Sequence, residues 1–293
     1  MASIYEKQNE PEMQMLLCAQ RKEYSSAKRE QFWFVFVSVI VVSSLTFWIV
    51  FTDNPKVVSI LTVINAAIIF LREQIKSRFD QKQEKAASIQ QYFDSCCYNE
   101  VLGKKLIDGM SMLSDSEIAE TLAKVKDENL NDFMDWYPDY RSLSAEKQIL
   151  YSQKTNLVWD KRLRNFYKNV LIAMLIILLI CLVAYGIYSS ATFEKWCALL
   201  SCFLVIVECT WNSIIRNTKD LKRMAKIFNL YKNTEVDVCA NKRGVANKLS
   251  SLQNEIYCHR KESFLIPDFI YKWRKNVYQK IANDTAEILA RIG

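Results

Sequence analysis

The chain has 293 residues, with 39 basic and 32 acidic side chains and a formal net charge of +7. Five glycines and four prolines are too few for the many tight turns of an all-β protein, so the composition predicts long helices. The single histidine excludes a multi-histidine metal centre, and we expect no metal site. The nine cysteines form no CxxC pair, which is typical of free thiols in a reducing cytoplasm.

Four apolar runs, 32–51, 57–71, 170–188 and 196–215, occur in two closely spaced pairs. At about 1.5 Å per residue, three of them match the roughly 30 Å hydrocarbon core of a bilayer. The run 57–71 covers only about 22 Å, and flanking basic side chains extend it by reaching toward the headgroups. Basic clusters precede and follow each pair, which favours a cytoplasmic location for both ends of each pair. We therefore expect an all-α, multi-pass integral membrane protein with four transmembrane helices in two hairpins and both termini in the cytoplasm.

The polar segments are predicted to form a helical cytoplasmic lobe. Pro11 is expected to open a helix that runs into the first span. Ser114 and Glu117 form a capping box for a helix expected to continue until Tyr137-Pro138, and Ser144 is expected to cap a long helix that enters the third span. The predicted division is a cytoplasmic N-terminal helix 1–31, a first transmembrane hairpin 32–71, a central cytoplasmic segment 72–168, a second transmembrane hairpin 169–215 and a basic cytoplasmic tail 216–293, which is broken near 241–244 and at Pro267.

Three polar side chains interrupt the apolar runs. Glu208 is the most informative, because an ionised group inside a span costs about 2.5–3.5 kcal/mol and usually faces a cavity, a partner or a pore. Asn65 and Asn212 are candidates for hydrogen bonds between helices. These residues are the expected membrane or pore positions. Alternatively, Glu208 reaches the cytoplasmic interface, since Arg216 follows only two turns later.

Two helices expected at the same depth below the membrane combine cationic and aromatic side chains. Guanidinium groups suit phosphates, and tyrosine or tryptophan rings can stack on bases. An ordinary basic collar that contacts anionic lipid is the alternative interpretation. The expected ligand-binding residues are Arg21, Tyr24, Lys28, Asn156, Trp159, Arg162 and Arg164.

Catalytic signatures are missing from the sequence. The chain contains no HExxH, GxSxG or GxxxxGK[ST] motif, and its carboxylates, such as Asp94 and Glu100, are expected on solvated helix faces. We expect no catalytic residues, no cofactor and no enzymatic activity.

Several segments, in this order and around the two hairpins, resemble the SMODS-associated four-transmembrane effector family of CBASS antiphage systems. They are IYEKQN at 4–9, LLCAQRKEYSSAK at 16–28, AASIQQYFD at 86–94, YP at 137–138 and QKTNLVWDKRLRNFY at 153–167. The likeness covers nearly the whole chain. Two departures lie in the lobe: the segment 99–106 lacks the Pro-Trp element that the family usually carries, and Cys96-Cys97 replace apolar or small residues.

This resemblance implies an effector in the bacterial inner membrane. A cyclic oligonucleotide sensed on the cytoplasmic side would act as the activating ligand, and the chain would assemble as a homo-oligomer that permeabilises the lipid bilayer. No DNA or RNA polymer is expected as a partner. Two other functions fit the sequence: a ligand-gated ion channel or small transporter unrelated to immunity, and a membrane-anchored scaffold whose acidic segment 108–139 binds a basic protein.

Overall fold

The computed structural model describes residues 3–37, 41, 44–45, 48, 54–106, 113–188 and 193–292. Within these ranges the chain is helical and contains no strand. The helices, numbered here in chain order, are α1 Ile4–Gln8, α2 Pro11–Phe36, α3 Pro55–Leu102, α4 Asp115–Ala123, the 3₁₀ helix Asn131–Phe133, α5 Ala145–Tyr188, α6 Phe193–Cys239, α7 Val245–Glu262 and α8 Asp268–Ile292.

The predicted helix starts are confirmed. Pro11 is the first residue of α2, where its missing N–H leaves no hydrogen bond unmade. The side chain of Ser114 caps α4, and Glu117 completes the capping box. The backbone carbonyl of Ser144 accepts from Gln148 as α5 begins.

The helix ends are partly confirmed. The breaks in the tail occur where they were expected, between Cys239 and Val245 and at Pro267. Asn241 and Gly244 have φ values of 48° and 82°, and this left-handed backbone ends α6 and reverses the chain. The prediction that the helix from Ser114 continues to Tyr137-Pro138 is wrong, because α4 already ends at Ala123 and turns follow it.

A helical lobe contains the main core. Helices α1 and α2 pack along the second half of α3, and α5, α6 and α7 enclose the other side. The core is built from apolar side chains of all these helices, including Leu16, Ile89, Phe93, Leu150 and Leu249. Each of these five side chains is 1% exposed or less, so the lobe is packed like the interior of a soluble protein.

The apolar halves of α3 and α5 extend away from the lobe. Among the described residues, two helices, α3 and α5, are long and apolar enough to cross a membrane. In the most apolar stretch of each helix, only 6% of the residues are buried within the chain. A core helix of a soluble protein would be mostly buried instead. The predicted spans 57–71 and 170–188 lie in these two helices.

The other two predicted spans stay predictions. The run 32–51 lies largely outside the described residues. The run 196–215 lies in the first half of α6, which continues without interruption to Cys239 in the lobe.

Candidate functional site

A loop without secondary structure is buried at the level where the long helices leave the lobe. This α7–α8 loop comprises residues 263–267, and its side chains Phe264, Leu265 and Ile266 are between 5% and 7% exposed. Leu265 packs on Ala27 and Phe79 of α2 and α3. Its two neighbours pack in a separate cluster with residues of α5 and α6, which are Leu163, Tyr167, Leu171 and Ile214.

Side chains of four helices satisfy the backbone of this loop. Gln31 of α2 donates to the carbonyl of Leu265 at 3.0 Å, and Gln83 of α3 donates to that of Ser263 at 2.6 Å. Arg164 of α5 donates to the carbonyl of Phe264 at 3.2 Å. Asp220 of α6 accepts from the Phe264 N–H at 2.8 Å. Since a buried backbone group without a partner is costly, these bonds hold the loop against all four long helices at once.

The loop forms one wall of a partly open cavity of about 220 Å³. Aromatic rings form much of the remaining lining, and the rings of Trp159 and Tyr271 lie 5.4 Å apart between centroids. The other aromatic members of the lining are Tyr24, Trp136 and Phe264. Burial raises the pKa of Tyr24, so its phenol stays protonated and able to donate a hydrogen bond.

Arg260 joins the cavity to a buried carboxylate. Its Nη1 donates to Asp94 at 2.7 Å, and Asp94 also accepts from Tyr137 at 2.5 Å and Gln253 at 2.8 Å. Asp94 is fully buried, so the prediction that it lies on a solvated helix face is wrong. Although burial alone lowers the pKa of Arg260, the Asp94 carboxylate outweighs it and raises that pKa above its ordinary value.

The second guanidinium at the cavity is held by acidic side chains on both sides. Arg164 donates to Asp160 at 2.8 Å and to Asp220 at 2.9 Å, and His259 lies 2.8 Å from the same Asp160 oxygen. Burial raises the pKa of Asp160, but Arg164 and His259 outweigh it and the net pKa lies below its usual range. Lys28 pairs with Asp268 at 2.6 Å.

The cations around the cavity are therefore already paired, and an incoming anion needs a donor that is still free. Nη2 of Arg260 is buried and has no hydrogen-bond partner among the described residues. A buried guanidinium nitrogen without a partner is costly, and a phosphate oxygen could satisfy it. The Lys28 ammonium also retains donors beyond its bond to Asp268.

Five of the seven predicted ligand-binding residues line this one cavity. They are Tyr24, Lys28, Asn156, Trp159 and Arg164. The other two do not line it. The Arg21 guanidinium stacks 4.3 Å from the ring centroid of Phe133, and Arg162 is exposed.

The prediction missed the contribution of the C-terminal helices. Arg260 and Tyr271 line the cavity but come from α7 and α8. A signal for Arg260 was present, because it continues the apolar stripe of Leu249, Leu252 and Ile256 by one further turn. A charge on the buried face of a helix indicates a partner inside the protein.

The three predicted membrane positions differ in their surroundings. Glu208 and Asn212 are exposed on α6. Asn65 on α3 is partly buried, and its side-chain oxygen has no hydrogen-bond partner among the described residues. We found no group of His, Cys, Asp or Glu that could hold a metal ion within the described residues.

Comparison with known proteins identifies the family. The sequence profile of the SMODS-associating 4TM effector domain matches residues 2–289, which is essentially the whole chain. No curated protein and no solved structure matches it. This chain, with its helical lobe and its two exposed apolar helices, therefore belongs to the SMODS-associating 4TM effector family, whose members are linked to CBASS antiphage systems.

Proposed function

We propose that this protein is a non-enzymatic effector of antiphage defence that a cyclic oligonucleotide activates through the cavity in the lobe. Binding on the cytoplasmic side causes homo-oligomerisation, and the oligomer permeabilises the bacterial inner membrane. Four helices in a bundle fill their own centre with side chains, so a conducting path requires several copies of the chain. Family membership supports the effector role.

The observation that carries this proposal is the shared wall of the cavity. The α7–α8 loop contacts the cavity on one side and accepts or donates hydrogen bonds to α2, α3, α5 and α6 on the other. A ligand that displaces this loop changes the contacts of all four long helices. Helices α3 and α5 continue without interruption into their apolar halves, so the change reaches the membrane.

The lining favours a nucleotide over a simple anion. Stacking between an aromatic ring and a base contributes about 1–3 kcal/mol. Trp159 and Tyr271 offer such rings in the same cavity as Arg260, whose Nη2 has no hydrogen-bond partner among the described residues. The volume of about 220 Å³ is below the roughly 300–1,000 Å³ of pockets that enclose drug-sized ligands. The cavity therefore accepts one base with its phosphate, while the rest of the ring lies at the opening.

Coupling requires that the ligand binds the assembled state more tightly than the resting state, because equal affinity shifts no equilibrium. A shift from about 1% to about 99% assembled needs a difference of about 5.5 kcal/mol between the two states. A free buried guanidinium nitrogen and several aromatic faces are sources of such a difference.

The test uses the purified protein in liposomes loaded with a self-quenched dye, challenged with a panel of cyclic di- and trinucleotides. We expect one cyclic ligand to release the dye, while the others and the linear nucleotides do not. Release without any ligand would favour a constitutive channel. No release and no binding with every ligand in the panel would contradict activation by these nucleotides.

Matched variants assign the response to the cavity. Trp159→Ala removes a stacking face and should weaken ligand binding about tenfold or more. Arg162→Gln changes an exposed charge three residues away that does not line the cavity, and it should respond like the wild type. Thermal unfolding of both variants shows whether the lobe is still folded. Equal responses of the two variants would contradict the assignment.

A further inference from the structure

The first turns of α8 expose large apolar side chains on one face. Phe269, Trp273 and Val277 follow one another at four-residue steps and are 66%, 66% and 46% exposed. Side chains at this spacing lie on the same side of a helix. Lys272 and Lys280 are exposed beside them. We call this surface the α8 apolar face; the lobe itself does not cover it.

Contacts with α5 fix the depth of this face. The Trp273 ring meets Phe166 edge-on, with 5.2 Å between centroids, and Ile270 packs in one cluster with Leu171. The charge-free run of α5 begins at residue 170. Because Phe166 lies one helical turn before it, Trp273 lies within about 6 Å of the level at which α5 enters its apolar half.

The remainder of α8 runs away from this level, antiparallel to α5. Tyr278 contacts Trp159, and Ala286 packs against Tyr151 still further from the apolar half. In this distal part the exposed side chains include Asp284 and Glu287 beside Ile288. Three of the four exposed large apolar residues of α8 thus lie in its first ten residues, at the end next to the membrane.

We propose that the α8 apolar face binds the cytoplasmic headgroup region of an anionic bilayer. Phe269 and Trp273 insert between lipids, as tryptophan prefers at membrane interfaces. Lys272 and Lys280 contact the phosphates, each contributing on the order of 1 kcal/mol. This inference requires only that α5 spans the membrane; it does not depend on any ligand.

A bilayer explains this surface better than a second copy of the chain does. In a two-fold symmetric contact the same patch meets itself, which would bring the lysines of both copies together. Anionic headgroups instead complement these charges. The exposed apolar side chains of α5 begin within two turns of Phe166, at Ile172, so the α8 apolar face lies close to the level at which α5 enters its apolar half.

The test is tryptophan fluorescence of the full chain in vesicles whose lipids carry brominated acyl chains. Bromine placed at the headgroup end of the acyl chains quenches rings that insert at this interface, and it does not quench rings inside the lobe. Trp273→Phe should lower the quenched fraction of the emission by about the contribution of one of the seven tryptophans. Trp136→Phe is the matched control, because Trp136 lines the cavity inside the lobe, and its removal should raise the quenched fraction. The proposal is overturned if both variants change the fraction in the same direction.

The charge requirement is tested by varying the lipid. The quenching lost in Trp273→Phe should be larger in vesicles that contain phosphatidylglycerol than in phosphatidylcholine alone. Replacing Lys272 and Lys280 by glutamine should remove this dependence. Equal quenching in both lipids would overturn the electrostatic part. If the quenching of Trp273 disappears as the protein density in the membrane rises, the α8 apolar face binds another copy of the chain and not the lipid.

Discussion

The two halves of α5 share one continuous backbone but meet different surroundings. In the lobe half, Leu150 is completely buried, whereas in the apolar half Leu179 is 50% exposed. The two halves also differ in charge. The lobe half contains Arg164, which pairs with two carboxylates, whereas the run 170–188 has no charged side chain. Exposure of an apolar side chain therefore indicates poor packing only where water is the solvent. We therefore expect the stability of the lobe to come from contacts outside the apolar half of α5.

The largest effect is expected from breaking the buried pair of Asp94 and Arg260. Asp94→Ala leaves the Arg260 guanidinium buried without its carboxylate, which should lower the free energy of unfolding by about 3–5 kcal/mol. Denaturant unfolding in detergent, followed by tryptophan fluorescence, measures the loss. The control is Glu84→Ala on the same helix, because Glu84 pairs with Lys261 at the surface and should show no measurable change. Similar losses in both variants would show that the buried pair contributes no more to the free energy of unfolding than the exposed pair does.

Matched leucines in the two halves of α5 test the comparison directly. Leu150→Ala creates a cavity in the lobe core and should cost about 2–5 kcal/mol. Leu179→Ala removes the same atoms from a side chain that faces away from the protein, and the unfolding of the lobe should stay unchanged. The same denaturant series measures both variants. A comparable loss for Leu179→Ala would show that the apolar half packs against protein.

A smaller effect on the free energy of unfolding is expected from Asp160, and this effect should depend on pH. Its pKa in the folded lobe lies below the usual range because Arg164 and His259 outweigh burial, whereas its unfolded value is about 3.9. A lowered pKa stabilises the fold above the unfolded value, and this stabilisation is lost as the pH falls through the folded value.

Asp160→Asn should therefore cost about 1–3 kcal/mol at neutral pH. Its difference from the wild type should shrink as the pH falls below about 4. Unfolding titrations at a series of pH values measure this difference. Parallel curves for the two proteins would show that Asp160 has no depressed pKa.

The smallest change in lobe stability is expected from Glu208, which is exposed in α6. Glu208→Gln should leave the unfolding midpoint of the lobe unchanged. If this carboxylate lines the pore, as the proposed function implies, ligand-triggered dye release should fall. The control is Asp284→Asn, which changes an exposed carboxylate in the distal part of α8 and should leave dye release unchanged. Release equal to the wild type in Glu208→Gln would remove Glu208 from the conducting path.

Much of the fold follows from local sequence signals. Pro11, the Ser114–Glu117 box, Ser144 and Pro267 mark helix boundaries through backbone chemistry that needs no tertiary context. The end of α4 was misjudged because the apolar stripe continues to Val125, which is buried although it lies in a turn. Burial and helical geometry are separate properties, and periodicity reports only the first.

Only some residues of the candidate site could be predicted from the sequence, for a different reason. Tyr24 and Trp159 were found because depth and side-chain type can be judged along single helices. Arg260 was missed because its position on the buried face of α7 indicates a partner inside the protein but does not identify it, and that partner, Asp94, is 166 residues away in the chain. Arg21, which stacks on Phe133, and Arg162, which is exposed, could not be separated from the cavity residues, since a shift of one residue along a helix rotates a side chain by about 100°.

The position of the α7–α8 loop in the chain has a consequence for biosynthesis. Residues 263–267 follow all four apolar runs, and chains fold from the N-terminal end as they leave the ribosome. Gln31 and Gln83 must therefore wait, with their side chains hydrated, until the carbonyl groups they bind have been synthesised. The loop joins the four helices only in this late step, after translation has passed residue 267. A ribosome that stalls earlier leaves helix pairs such as α2 with α3 and α5 with α6 without the hydrogen bonds that tie all four together.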